Sequence, residues 1–400
     1  MKAVGIVVEY NPFHNGHVYH INAAKRLTNA DVVIAVMSGN FLQRGEPALV
    51  SKWYRTKMAL LGGVDIVFEL PYFFATQKAA VFANGAVSIL DSAGCDYLCF
   101  GSENGDTSLF HKTIEIMDTQ HEFLQAKIRE YIKTGVSYPT AVAMSFKQID
   151  QSDKLIDLSS PNNILGYQYM ESIKRQNSSI QPFTVQRKNS DYHDETFSSE
   201  TIASATSIRK ALFSDLNIQQ YVPKATWQLL EEYKQHFGHL HQWENYWPLL
   251  QYRILQSDPI ELKEIYEVEE GIENRFIAAA IKSNSFHEFM ETVKTKRYTW
   301  TRLQRICTHI LTNTKKSDMD AIVENASYLR LLGMTKNGKD YLNKMKSHFS
   351  LPLVSKLSSF KNKDISLDIK AARIYAMGLS NHHKNELLEQ EFKQPPILIV

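Results

Sequence analysis

Residues 4–20 read VGIVVEYNPFHNGHVYH, and this stretch decides the fold class. Val4, Ile6, Val7 and Val8 form an apolar, β-rich run ending at Glu9, the length of one buried strand. Asn11-Pro12 and Asn15-Gly16 are turn signals. A helix is expected from His17 to Leu27. A helix start offers unpaired amide donors and the positive end of a dipole, so it favours a phosphate. Gly16 lets backbone come close to such a group. His14 and His17, on either side of the turn, can face one anion and donate hydrogen bonds as charge builds on its oxygens. The plainer alternatives are two surface histidines or a metal pair. No further ligand stands at a recognisable spacing, so no metal site is read.

Further strands are expected at Val32–Met37, Val64–Leu70, Tyr97–Phe100 and Phe183–Gln186. Helices are expected at Pro47–Leu61, at Thr76–Ala93 and after Ser160-Pro161. Strand and helix alternate with short loops. That pattern means an α/β, Rossmann-like parallel sheet with helices on both faces. Ligands in such sheets sit at the carboxyl ends of the strands. The exits Tyr10–Gly16, Ser38–Gly45, Pro71–Thr76 and Gly101–Gly105 should therefore surround the site. After Val222-Pro223 the periodicity is helical only, and no strand is expected. The 400 residues divide into 1–220, a nucleotide-binding catalytic domain, and 221–400, a helical domain.

A second motif, IASATSIRK at residues 202–210, is a small-residue loop entering a helix. It delivers Arg209, which can clamp phosphates while Ser204, Thr206 and Ser207 complete a cradle. Alone, it is an ordinary capped helix; with the histidine motif it makes an ATP site.

Net charge is +2, but residues 282–363 carry sixteen Lys or Arg against six Asp or Glu. Glu261, Glu264, Glu267, Glu269 and Glu270 precede them. The basic stretch points to a polyanionic partner, with a solvated helical face as the alternative. Cys95, Cys99 and Cys307 show no disulfide spacing, which implies a reducing compartment. No signal peptide and no membrane-length apolar run are read, so a soluble cytoplasmic protein is expected.

HNGH and SATSIRK resemble the HxGH and KMSKS-like signatures of the nucleotidyltransferase and class I aminoacyl-tRNA synthetase superfamily. The second motif lacks the synthetase lysines. In order along the chain, VVEYNPFHNGHVYH, MSGNFLQRGEPALVSKWYRTKMAL, DIVFELPYFFATQKA, FGSENGD, SPNNILGYQY and IASATSIRKAL resemble the family of bacterial tRNA(Met) cytidine acetate ligases. KRYTWTRLQRI and YLRLLGMTKNGKDYL extend the resemblance into the basic region.

This resemblance implies that ATP, with Mg2+, activates acetate as acetyl-adenylate. The acetyl group then passes to the exocyclic amine of the wobble cytidine of elongator tRNA(Met). His14 and His17 would stabilise the α-phosphate transition state, and Arg209 would hold the leaving pyrophosphate. Val7, Val8, Glu9, Tyr10, Asn11, Pro12, Phe13, Asn15, Gly16, Val18, Tyr19 and His20 would line the nucleotide. Gly101, Asn162, Arg187, Lys188, Ser204 and Thr206 would join them, although Asn162 could equally be a helix cap and Gly101 a turn glycine. Asn40, Gln43, Arg44 and Glu46 are candidates for the acetate and cytidine pocket. Lys294, Lys296, Arg297, Arg302, Arg305, Lys315 and Lys316 are candidate tRNA phosphate contacts, with Tyr298 and Trp300 for stacking. No protein partner is evident. Two other readings stay open on the residues alone. One is a metabolic adenylyltransferase making a dinucleotide cofactor; the other is a non-catalytic RNA-binding protein.

Overall fold

The computed structural model describes residues 1–149, 155–187, 202–320, 324–360, 362–379 and 383–400. Its sheet contains β1 (Ala3–Val8), β2 (Val32–Ser38), β3 (Ile66–Leu70), β4 (Tyr97–Ser102) and β5 (Gln181–Gln186), all mutually parallel where they pair. Three more strands, β6 (Leu329–Thr335), β7 (Leu353–Val354) and β8 (Ile397–Ile399), extend it. The order is β5-β4-β1-β2-β3-β6-β7, with β8 also on β6.

Each early strand buries both faces, which explains the unbroken apolar runs. Val33, Ala35 and Met37 of β2 pack into one core with Ile21 and Ala24 of α1 (Asn15–Thr28) and Met58 of α2 (Lys52–Leu61). Val32, Ile34 and Val36 pack oppositely, with Phe82, Ala86 and Leu90 of helix Ala79–Ser92. The first core continues into the C-terminal region, through Leu230, Leu250, Phe276, Phe289, Leu303 and Ile310. The architecture is a Rossmann-like parallel sheet followed by a largely helical region, as the alternation of elements implies.

Two expectations are corrected. Strands do occur after Val222-Pro223: β6 runs antiparallel to β3, pairing Ile66 with Met334 and Glu69 with Arg330. Arg330 interrupts the apolar pattern of this strand, although it is only 2% exposed. The helix expected from Pro47 starts instead at Lys52. Asn40 organises the intervening loop: its carbonyl accepts from Ala48 N (2.9 Å) and its Oδ1 from Lys52 N (3.0 Å).

Candidate active site

The strand order reverses at β1, with β2 on one side and β4 on the other. A cavity of about 320 Å³ opens at their carboxyl ends, where an open α/β sheet holds its ligand. The β3 exit, Pro71–Thr76, does not line it. One strand further out, Tyr72 and Phe74 are built into the core instead.

His14 caps α1, and its Nδ1 accepts from Gly16 N at 3.1 Å. His17 Nδ1 accepts from His14 N, also at 3.1 Å. The rings stack with centroids 3.7 Å apart. A Cβ on Gly16 would lie 2.9 Å from His14 Cε1, so glycine is what lets the ring fold back over the turn. A backbone N–H can only donate, so both Nδ1 atoms accept and each neutral ring carries its proton on Nε2. Burial, then the Arg187 and Arg209 charges, push His14 down to about 3. Burial, then His14, His20 and Arg187, hold His17 well below its usual value. Burial and Arg187 take His20 down to about 4. At neutral pH His14 and His17 are therefore uncharged Nε2–H donors at a helix start, and both line the cavity.

Arg209 enters from helix Ala205–Phe213, whose N-terminus Ser204 caps by accepting from Ser207 N at 3.1 Å. Its Nη1 donates to Asn11 O (2.9 Å), and its Nη2 meets Glu46 Oε2 at 3.3 Å. Arg187 Nη1 donates to Asn162 Oδ1 (3.1 Å), and Asn162 Nδ2 donates to Glu103 Oε1 (2.7 Å). Glu103 Oε2 also accepts from Asn163 N (2.9 Å). Asn162 is thus a positioning link that aims Arg187, and Glu103 already satisfies the start of its helix.

The cavity lining includes Val7, Val8, Glu9, Tyr10, Asn11, Tyr19, His20 and Gly101, besides Gly16, Ser204 and Thr206. Four expected residues are not part of it. Phe13 is buried in the core, where its ring would clash with a Cβ on Gly62. Pro12 is buried beside it, following a cis peptide bond. Asn15 Nδ2 donates to Gln220 O (2.9 Å), and Val18 packs on the core. Lys188 lies outside the described residues.

In the loop after β2, Gln43, Arg44 and Glu46 reach the cavity. Asn40 does not; it is spent on holding the loop and lines a separate void of about 10 Å³. Gln43 N donates to Glu9 Oε1 (2.8 Å) and Gln43 Nε2 to Gln77 O (2.6 Å). Burial raises the Glu9 carboxyl despite that hydrogen bond. The loop leans on the C-terminal helices. Gly45, at φ 81°, sits where a Cβ would be 2.4 Å from Arg305 N, and its carbonyl accepts from Thr308 Oγ1 and Trp243 Nε1.

Sequence reading missed Arg55. Its side chain is fully buried on α2 and donates to Val50 O (3.2 Å), Glu9 O (2.8 Å), Ser38 O (3.0 Å) and Gly39 O. It ties the exits of β1 and β2 together. Burial lowers its pKa to about 10, still charged at neutral pH.

Four of the seven candidate tRNA contacts are paired internally. Arg297 meets Glu270 (3.2 Å), Arg302 meets Glu269 (3.0 Å), Arg305 meets Glu267 (2.9 Å) and Lys315 meets Glu264 (2.7 Å). Arg305 is only 8% exposed. Lys316 Nζ donates to the carbonyls of Lys263 and Val268. Tyr298 is buried under Arg302, and Trp300 is half-buried. Lys294, Lys296 and Arg297 remain exposed.

Comparison with known proteins agrees with this geometry. A family model described as HIGH Nucleotidyl Transferase matches residues 1–391. The tRNA(Met) cytidine acetate ligase of Bacillus subtilis (strain 168) is 52% identical over 404 residues, covering 99% of this chain and 97% of that protein. The chain belongs to the tRNA(Met) cytidine acetate ligase family. The family member from Geobacillus sp. (strain WCH70) is 50% identical and matches all of both chains. Among solved structures, apo Thermotoga maritima TmcAL superposes with a TM-score of 0.92 at 32% identity, covering both chains fully. The same protein bound with alpha-thio ATP gives 0.90 at 31% identity, again over both whole chains.

Proposed function

We propose that this chain is an ATP-dependent ligase that acetylates the wobble cytidine of elongator tRNA(Met) at its exocyclic amine, giving N4-acetylcytidine. The observation that carries the reading is the pair of Nε2–H donors, His14 and His17, set at one helix start beside Arg209 in one cavity. The near full-length likeness to proteins named as such ligases supports the substrate assignment.

In the first step an acetate oxygen attacks the α-phosphate of ATP and pyrophosphate leaves. His14 and His17 donate to the α-phosphate oxygens as charge accumulates. Among the described residues, Arg209 engages two of its five N–H groups with Asn11 and Glu46, and the others hold the departing pyrophosphate. Arg44, flanked by Glu9 and Glu46, is the candidate for the acetate carboxylate. Mg2+ would arrive with the ATP phosphates and neutralise their charge, and the cavity carboxylates Glu9 and Glu46 suit a hard cation. In the second step the cytidine amine attacks the acetyl carbonyl, the bond to AMP breaks and the amine loses its proton. A mixed anhydride is a good acyl donor, so positioning carries this step.

The proposed division of labour falls near residue 220. Residues 1–220 carry the nucleotide chemistry, and 221–400 offer the tRNA surface, with Lys294, Lys296 and Arg297 as its exposed cations. A reducing cytoplasmic setting fits the three free, buried cysteines. No helix among the described residues is long and apolar enough to cross a membrane.

The test is transfer of radiolabelled acetate to tRNA, with and without ATP. ATP-dependent label recovered as acetylcytidine supports the reading. Absence of label, together with acetate-independent ATP–pyrophosphate exchange, would refute it.

A further inference from the structure

Away from the nucleotide cavity, three metal-ligating side chains converge among the described residues: His236, His383 and Glu386. His236 stands in the last turn of helix Lys224–Phe237. His383 occupies the N-cap position of helix Lys384–Lys393 without a side-chain capping bond, and Glu386 lies in the first turn. That i, i+3 spacing puts the two on one helix face. Packing of the helices brings His236 Nε2 to 2.7 Å from Glu386 Oε2, while His383 Nδ1 lies 3.6 Å from the same oxygen. The two imidazole centroids are 4.4 Å apart. All three ligand atoms fall within 4.8 Å of one another. Zinc bonds of about 2.0–2.2 Å to nitrogen and oxygen place tetrahedral ligand atoms about 3.3–3.5 Å apart. Small side-chain rotations close the difference.

We propose that His236, His383 and Glu386 form a zinc-class divalent metal site that clasps the C-terminal helix to helix Lys224–Phe237. Two imidazoles and one carboxylate suit zinc, nickel or copper rather than magnesium or calcium. The side chains are 39%, 30% and 47% exposed, so water can complete the coordination. His236 comes from a distant part of the chain, about 150 residues before the other two, so no complete ligand spacing in the sequence marks the site.

The helix being clasped matters to the core. Its Glu391 reaches Lys52 of α2 at 2.8 Å, in a fully enclosed ion pair. A metal at its first turn therefore fixes the element that supplies this buried partner. The proposal is independent of the ligase reading.

The experiment is calorimetric titration of the full chain with Zn2+, paired with hydrogen exchange over residues 384–393. One saturable site is expected, weakened about tenfold or more by His236→Ala and by Glu386→Gln. An exposed histidine elsewhere, replaced in His348→Ala, should leave it unchanged. Exchange in 384–393 should slow with Zn2+ in the wild type only. Equal affinity in both site variants, or no saturable binding, would overturn the site and leave only a His236–Glu386 ion pair.

Discussion

The backbone N–H of His14 donates to Nδ1 of His17, so the first histidine of the motif sets the tautomer of the second. The donor that His17 presents to the cavity, its proposed catalytic group, is thereby a property of two residues. His17→Ala removes that donor and leaves the amide of His14 unpaired. Loss of one preorganised donor costs about 10²–10³ in kcat. Acetate-dependent ATP–pyrophosphate exchange should fall by that factor while circular dichroism stays native. Exchange at the wild-type rate would show that the motif histidines do not act on the phosphate.

Arg55 should behave as a positioning residue. Arg55→Met keeps volume but strips the partners from the carbonyls of Glu9, Ser38, Gly39 and Val50. Each buried group left unpaired costs about 1–3 kcal/mol. Urea unfolding should show a loss of about 3 kcal/mol or more. KM for ATP should rise more than kcat falls, because the two strand exits that frame the cavity loosen. Unaltered stability would mean that water replaces the guanidinium.

The histidines also make stability depend on pH. An unfolded histidine takes up its proton near pH 6.5, whereas folded His20 resists down to about 4. Between those values the unfolded chain binds more protons, so this group's contribution falls as pH falls. The buried Asp368 carboxyl, raised to about 7, acts in the opposite sense. Comparing wild type with His20→Asn cancels that opposing effect. The variant should gain on the wild type by up to about 1.4 kcal/mol per pH unit from 6.5 down to 4, measured by chemical denaturation. A constant difference across that range would mean that folded His20 takes up its proton as readily as the unfolded residue.

Internal pairing predicts two classes of cation. Lys294→Glu and Lys296→Glu should weaken tRNA binding and lower the salt slope by about one phosphate contact each. Arg305→Glu should instead lower the melting temperature, because it sets two carboxylates against each other where Arg305 and Glu267 now form a buried pair. Filter binding at several salt concentrations, beside thermal melts, separates the classes. Arg305→Glu with native stability and reduced tRNA affinity would reverse the assignment.

The parallel half of the sheet was legible because its strands are buried on both faces, and runs such as Val32–Met37 have no other use. The histidine turn was legible because Asn15-Gly16 marks the junction to α1. β6 was not legible, since its Arg330 is tolerated only inside a pocket built by remote residues, including the carbonyl of Glu391 (3.3 Å). Arg55 went unread, and Asn40 was expected at the pocket, for a related reason. Their hydrogen bonds go to backbone, and backbone partners leave no trace in residue type. The acidic run from Glu261 to Glu270 was visible, but its role as the counter-charge to the basic helices depends on a fold-back that spacing does not encode.

The late arrival of β6 has a consequence for biosynthesis. β3 ends at Leu70, whereas the strand that covers its open side begins at Leu329. A ribosome therefore extrudes the residues that line the cavity long before the sheet is closed, and the nascent chain carries a bare, apolar strand edge through most of translation. A fragment stopped near residue 220 inherits that edge permanently. It should self-associate on release, and adding the missing C-terminal piece in trans should restore a monodisperse particle.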